Sequence, residues 1–160
     1  MWEQASQYLE RYVEAAPDDW EAQFSLGVAQ ANKRGGEESD RAALRAYDNA
    51  IVFVDEENQR QWLPRLYAYR GGMLKRLGRL AEAESSLLLA GQIASDRDDL
   101  LDIAYNLAGI YAQMGEADRA IEQLRILSGT PWMSSVHAHA DDYFARIKSR
   151  PEFLELVRNI

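Results

Sequence analysis

Apolar residues along this chain recur at three- and four-residue steps, the spacing that gathers them on one edge of an α-helix. Leu63, Tyr67, Leu74 and Leu77 form one such stripe, interrupted by Arg70, and Ala104, Leu107, Tyr111 and Met114 form another. Each is followed by a partner stripe, Leu80, Ala83, Leu87 and Ala90 after the first and Ala117, Ala120, Leu124 and Leu127 after the second. Breakers fall between them at Pro17-Asp18-Asp19, Gly35-Gly36, Gly78, Gly115, Gly129-Thr130-Pro131 and Ser149-Arg150-Pro151. No alternating strand pattern competes. The pattern predicts nine helices, over approximately 2–16, 19–33, 38–54, 60–77, 80–94, 97–114, 117–127, 132–148 and 151–159. Helices of this length are marginal alone in water, so each is expected to depend on its neighbour's stripe.

The stripes repeat as a frame. Tyr67-x2-Arg70-Gly71-x2-Leu74 leads to Gly78 and then Ala83-x3-Leu87-x2-Ala90; the same order returns as Ala104-x2-Leu107-Ala108-x2-Tyr111, Gly115 and Ala120-x3-Leu124-x2-Leu127. An earlier copy reads Leu26-Gly27 and Ala43-x3-Tyr47-x2-Ala50, and a half copy opens the chain as Ala5-x3-Leu9 and closes at Pro17. Equivalent alanines are separated by 38, 40 and 37 residues, with the excess at Lys33 to Asp40 and before Trp62 and Leu100. Loop extension costs only about 0.6 kcal/mol per doubling, so stacking tolerates it. Small residues carry the packing: Gly27, Gly71 and Ala108 on one helix of a pair, and Ala43, Ala83 and Ala120 on the other, permit close approach.

This frame resembles the tetratricopeptide repeat family, in its bacterial form, whose pattern runs W-x2-L-G-x2-Y, A-x3-F, P over about 34 residues. The resemblance covers roughly the whole chain and implies an all-α fold, an α-solenoid of stacked antiparallel helix pairs. It is expected as a single repeat domain over 1–160, with a half repeat at 1–17, repeats at 18–57, 58–96 and 97–131, and a C-terminal helix pair or cap at 132–160. The ending Arg150-Pro151-Glu152-Phe153-Leu154 is similar to the closing helices of many members. At the start, Trp2, Tyr8, Leu9 and Tyr12 have no preceding helix to cover them. Three readings stay open there: the chain continues before Met1 in a longer protein, this face packs on another chain, or the helix is a cap.

In such families the first helix of each pair lines the concave side, and that side is where partners bind. Projection of the helix from Pro64 puts Arg65, Tyr69, Gly72 and Arg76 on one face with Lys75 beside them, and the next inner helix presents Asp102, Tyr105, Asn106, Gly109 and Gln113. Gly72 and Gly109 fall at equivalent places. Glu21, Phe24 and Val28 would come from the earlier inner helix. The expected site is a groove with an open floor at the glycines, an aromatic wall from Tyr69 and Tyr105, and donors from Arg65, Lys75 and Arg76. Such a surface suits an acidic or carboxylate-bearing protein segment. The clamp of the chaperone-binding subfamily is not reproduced: where its leading lysine and asparagine would fall stand Phe24 and Val28, or Ala68 and Gly72 in the next register.

Composition narrows the function classes. The chain carries 26 acidic against 18 basic residues, a net charge of −8, which disfavours nucleic acid as the main ligand. It has no cysteine, so disulfides, thiolate nucleophiles and thiolate metal sites are excluded together. No basic-then-apolar leader opens it, and runs such as Leu87-Leu88-Leu89-Ala90 are too short to cross a bilayer. A cytoplasmic location, with no membrane partner, is expected. His137 and His139, followed by Asp141 and Asp142, lack a metal-ligand constellation, and with Ser134 and Ser135 they form no nucleophile-and-base set. Gly35-Gly36 and Gly71-Gly72 lack the phosphate-loop spacing. Asp18-Asp19 and Asp98-Asp99 suit helix starts. The expectation is therefore a protein-interaction scaffold or the docking part of a larger protein, without catalysis, cofactor or metal; the alternative is a structural module that forms homo-oligomers through its helical ends, the N-terminal helix above all.

Overall fold

Asp19, Asp55 and Asp96 each accept hydrogen bonds from backbone N–H groups two or three residues on: Ala22 at 2.9 Å, Asn58 at 3.0 Å, and Asp98 and Asp99 at 2.9 and 3.2 Å. An aspartate there satisfies donors that a helix start leaves without partners. The computed structural model describes residues 1–33 and 35–158, and among them nine helices and no strand. The capped ones are α2 (Trp20–Asn32), α4 (Glu56–Arg76) and α6 (Arg97–Met114). Between and around them lie α1 (Trp2–Ala15), α3 (Gly36–Phe53), α5 (Leu80–Ile93), α7 (Ala117–Leu127), α8 (Trp132–Ala138) and α9 (Pro151–Arg158). The turns into α5 and α7 close on Gly78 and Gly115 with φ of +72° and +84°, a conformation that favours glycine. The all-α class and the helix order thus match the periodicity. The last expected helical position, 159, lies outside the described residues, as does Arg34 in the enlarged turn.

Two compact units make up the chain, residues 1–94 and 95–160. In the first, α1 packs on α2, α2 on α3, α3 on α4 and α4 on α5, each helix against the next in sequence. Side chains also join α2 to α4 in the same order along both: Trp20 meets Trp62, Phe24 meets Tyr69, and Arg76 donates to the carbonyl of Ala31 at 3.1 Å. Those pairings require α2 and α4 to run in one direction with α3 returning between them, the geometry of stacked helix pairs. The close approaches fall where the small residues predict. A Cβ on Gly27 would sit 2.4 Å from the Tyr47 ring, and one on Gly71 would sit 2.7 Å from Leu87 Cγ. Ala43 and Ala83 are fully buried. Arg70, the charge on an otherwise apolar stripe, reaches across to Asp48 of α3 at 2.7 Å.

α4 begins four residues before its expected start and runs through Pro64, which is buried within it. Proline has no N–H to give to the carbonyl of Arg60, so one rung of that helix is missing. Trp20, Ala50, Val54 and Leu66 form a buried cluster here, flanked by Phe24, Ile51, Trp62 and Leu63.

In the second unit α6 packs on α7, with Ala104, Leu107, Ala108 and Tyr111 buried on one side and Ala120, Leu124 and Leu127 on the other. Arg119 lies over the Tyr111 ring, 3.8 Å from its centre. The helix expected over 132–148 is shorter: α8 ends at Ala138, and residues 139–150 form successive turns. Bonds from Asp142 to His139, Ala145 to Asp142 and Ile147 to Phe144 span three residues, but those from Lys148 to Phe144 and from Phe144 to His139 span four and five, so the winding is mixed. Phe144 and Ile147 are both fully buried on this segment, and the Phe144 ring lies 5.9 Å from that of Phe153 on α9. No described helix is long and apolar enough to cross a membrane.

Candidate functional site

The residues expected to line one groove divide between the two units. Phe24, Arg65, Tyr69, Gly72, Lys75 and Arg76 belong to the first. Because α2 and α4 are parallel, their side chains interleave into a ladder of rings: Trp20 to Trp62 at 5.3 Å, Trp62 to Phe24 at 5.3 Å, Phe24 to Tyr69 at 5.2 Å and Tyr69 to Tyr47 at 5.4 Å. All four contacts are tilted or edge-to-face, as ring quadrupoles favour. Tyr47 is buried at the inner end, and burial pushes its phenol well above the ordinary tyrosine range. Tyr69, at 45% exposure, brings the ladder to the surface. One turn further along, a Cβ on Gly72 would meet nothing within 4 Å, so the floor beside Tyr69 is open.

The cations of this face are less available than their positions on the helix suggest. Arg65 sits over the Trp62 ring, 5.7 Å from its centre. Lys75 is buried. Arg76 lies 2.5 Å from Asp40 Oδ1 of α3 as an ion pair, and it also donates to the Ala31 carbonyl. Its guanidinium therefore ties together the end of α2, the first turns of α3 and the end of α4. Trp62 belongs to the ladder and was outside the expected set; it stands three residues before Arg65 and seven before Tyr69, on the same helix face, but a projection begun at Pro64 stops short of it.

Asp102, Tyr105, Asn106, Gly109 and Gln113 lie on α6 of the second unit. Asn106 donates its amide to the Asp102 carbonyl and carboxylate at 3.0 and 3.2 Å. Tyr105 is only 8% exposed, its ring within 5.3 Å of Trp132 and 6.2 Å of Phe144. Its hydroxyl is 2.7 Å from His139 Nδ1, which also lies 2.9 Å from the Ser135 carbonyl. Burial pushes the Tyr105 phenol up to about 12. Gly109 is buried, and the Gln113 amide nitrogen is buried with no hydrogen-bond partner among the described residues. Tyr105 and Gly109 are thus packed into the second unit, while Asp102, Asn106 and Gln113 are half-buried.

The remaining chemistry is engaged locally. His139 addresses a phenol and a backbone carbonyl, not a serine hydroxyl. Asp141 is ion-paired with Lys148, which holds its carboxyl below the usual range. On α1, Trp2, Tyr8 and Tyr12 are exposed, Tyr8 most of all at 69%, while the Tyr12 hydroxyl donates to Asp19 at 3.1 Å. The chain matches no protein-family model and no curated protein, so the functional reading rests on this geometry.

Proposed function

We propose that the chain is a cytoplasmic, non-catalytic adaptor of the tetratricopeptide-like kind, and that it holds a segment of another protein against the α2–α4 face. The observation that carries this reading is the aromatic ladder that surfaces at Tyr69 beside the open position at Gly72. Stacked rings offer large contact area at little conformational cost, because their neighbours already hold them in place. A glycine with empty space above it lets a partner backbone approach the helix closely. Arg65, supported on Trp62, supplies donors at the edge of the same surface.

Panning a displayed random-peptide library against the protein tests this. Selected peptides are expected to lose binding to Gly72→Trp, which fills the open position, and to Tyr69→Ala, which removes the exposed ring. Equal binding to both variants and the unaltered chain would overturn the proposal. The exposed aromatics of α1 favour a second reading, self-association through that helix. Under it, Tyr8→Lys lowers the molecular mass measured by light scattering, and a mass of one chain at all concentrations excludes it.

A further inference from the structure

A second surface of the first unit lies where α3 passes the turn between α4 and α5. Glu37, Arg41, Leu44, Arg45, Leu77 and Arg79 line a cleft of about 460 Å³ there. Three guanidiniums meet two carboxylates there, Glu37 in the cleft and Glu82 beside Arg79, which leaves one cation in excess in a chain whose overall charge is −8. Leu44 is buried and Leu77 half-buried, so the cleft has an apolar floor under a cationic rim.

Helix stability accounts for Arg41 but not for Arg45 or Arg79. Glu37, Arg41 and Arg45 follow one another at four-residue steps along α3. Arg41 is paired with Glu37 at 2.5 Å, but both side chains are about two-thirds exposed. Arg45 comes next on the same stripe and forms no hydrogen bond or ion pair among the described residues. Two like charges at this spacing repel. Arg79 occupies the N-cap of α5 and makes no cap hydrogen bond with its side chain. That is the position where the same chain places Asp19, Asp55 and Asp96 on α2, α4 and α6, and where the helix dipole disfavours a cation. Its bidentate bond to Glu82, at 2.8 and 2.6 Å, offsets this only through an exposed pair. Positions that break local rules without a folding gain are expected at functional sites.

We propose that this cleft binds an extended acidic segment of a partner protein through its carboxylates. Arg45 takes one carboxylate in the bidentate geometry that guanidinium favours. Arg41 and Arg79 take others by exchanging their exposed intrachain pairs, which contribute little in water. Leu44 and Leu77 meet the methylene stems of the bound side chains. The site is separate from the α2–α4 face and stands whether or not that face binds anything.

The test is fluorescence anisotropy of a labelled oligoglutamate peptide titrated with the full chain at low salt, with oligolysine as the charge control. Oligoglutamate is expected to bind, more weakly as salt rises, and oligolysine is not. Arg45→Glu is expected to weaken binding about tenfold or more, with an unchanged circular dichroism spectrum, since Arg45 is exposed. Arg45→Lys, which keeps the charge but loses the bidentate fork, is expected to fall between. Gly72→Trp and Tyr69→Ala are expected to leave this binding unchanged, which separates the cleft from the aromatic face. No binding of oligoglutamate, or equal binding by Arg45→Glu, overturns the proposal. Displacement of the peptide by inorganic phosphate at matched concentration also overturns it, by identifying a site for small anions.

Discussion

Arg76 of α4 approaches the Asp40 carboxylate of α3 to 2.5 Å, and Asp40 is the more buried of the two, with its side chain 11% exposed against 35%. Removal of the arginine leaves a nearly buried carboxylate without its counter-charge and also frees the Ala31 carbonyl at the end of α2. Arg76→Ala is expected to destabilise the protein by about 1–3 kcal/mol, read from urea denaturation at neutral pH. Arg76→Lys should recover part of this. A midpoint unmoved by Arg76→Ala would show that the pair contributes nothing to stability. Arg76→Glu, which places a second carboxylate beside Asp40, should be worse than alanine, so loss of binding in that variant would not by itself identify a contact with a partner.

Asp55 caps α4 and accepts the indole N–H of Trp20 at 3.0 Å. Hydrogen bonds from the Asn58 side chain first, then from the Asn58 backbone, hold its carboxyl below the usual aspartate range, with Trp20 adding to them. A carboxyl depressed in the folded state stabilises fully above its unfolded pKa, near 3.9, and the contribution disappears as pH falls through the lower folded value. Asp55→Asn keeps a competent cap without the charge. Its melting temperature is expected to lie below that of the unaltered protein at neutral pH, with the gap closing under acid conditions. Parallel curves down to about pH 2 would refute the linkage.

The two glycines at 27 and 72 predict opposite outcomes for one substitution. Gly27→Ala drives a methyl to within 2.4 Å of a Tyr47 ring that is itself buried, and should cost about 1–3 kcal/mol. Gly72→Ala puts a methyl into open space on a helix and should stabilise by about 0.5–1 kcal/mol. Thermal denaturation of the pair decides it; equal shifts would contradict the close approach of α2 and α3.

Tyr105 predicts an alkaline response in the second unit. Its phenol is pushed up to about 12, mainly by burial, so the folded state resists ionisation that the unfolded chain undergoes near 10. The stability this group confers is complete below about pH 10 and is lost as pH rises toward about 12. Tyr105→Phe removes the bond to His139, so it should be less stable at pH 8 by about 0.5–1.5 kcal/mol and should show a shallower alkaline decline. A tyrosinate absorbance titration with no phenol lost from the high-pH component in Tyr105→Phe would count against the assignment.

Helix number, order and most boundaries were legible because apolar period and breakers agree at Gly78, Gly115 and Gly129. Asp98 and Asp99 fall in the first turn of α6 as the sequence suggests, while the cap itself is Asp96, which hydrogen bonding alone distinguishes from them. Arg76 and Tyr105 show what a projection of single helices leaves out. It puts each on a polar face, but a long guanidinium can turn back to Asp40, and a ring on α6 can be covered by Trp132, His139 and Phe144 from a segment far along the chain. The early end of α8 has a related cause: apolar spacing alone does not distinguish a continuous helix from the mixed turns that bury Phe144 and Ile147.

The missing rung at Pro64 has a consequence for what fastens the head of α4. The Arg60 carbonyl lacks its helical donor, and Trp62 stands two residues beyond it, so its indole, set against Trp20 and Phe24, pins to α2 the stretch in which the amide ladder is one bond short. Tyr69 lies beyond the proline, so the ring that reaches the surface is carried by the later turns of the same helix.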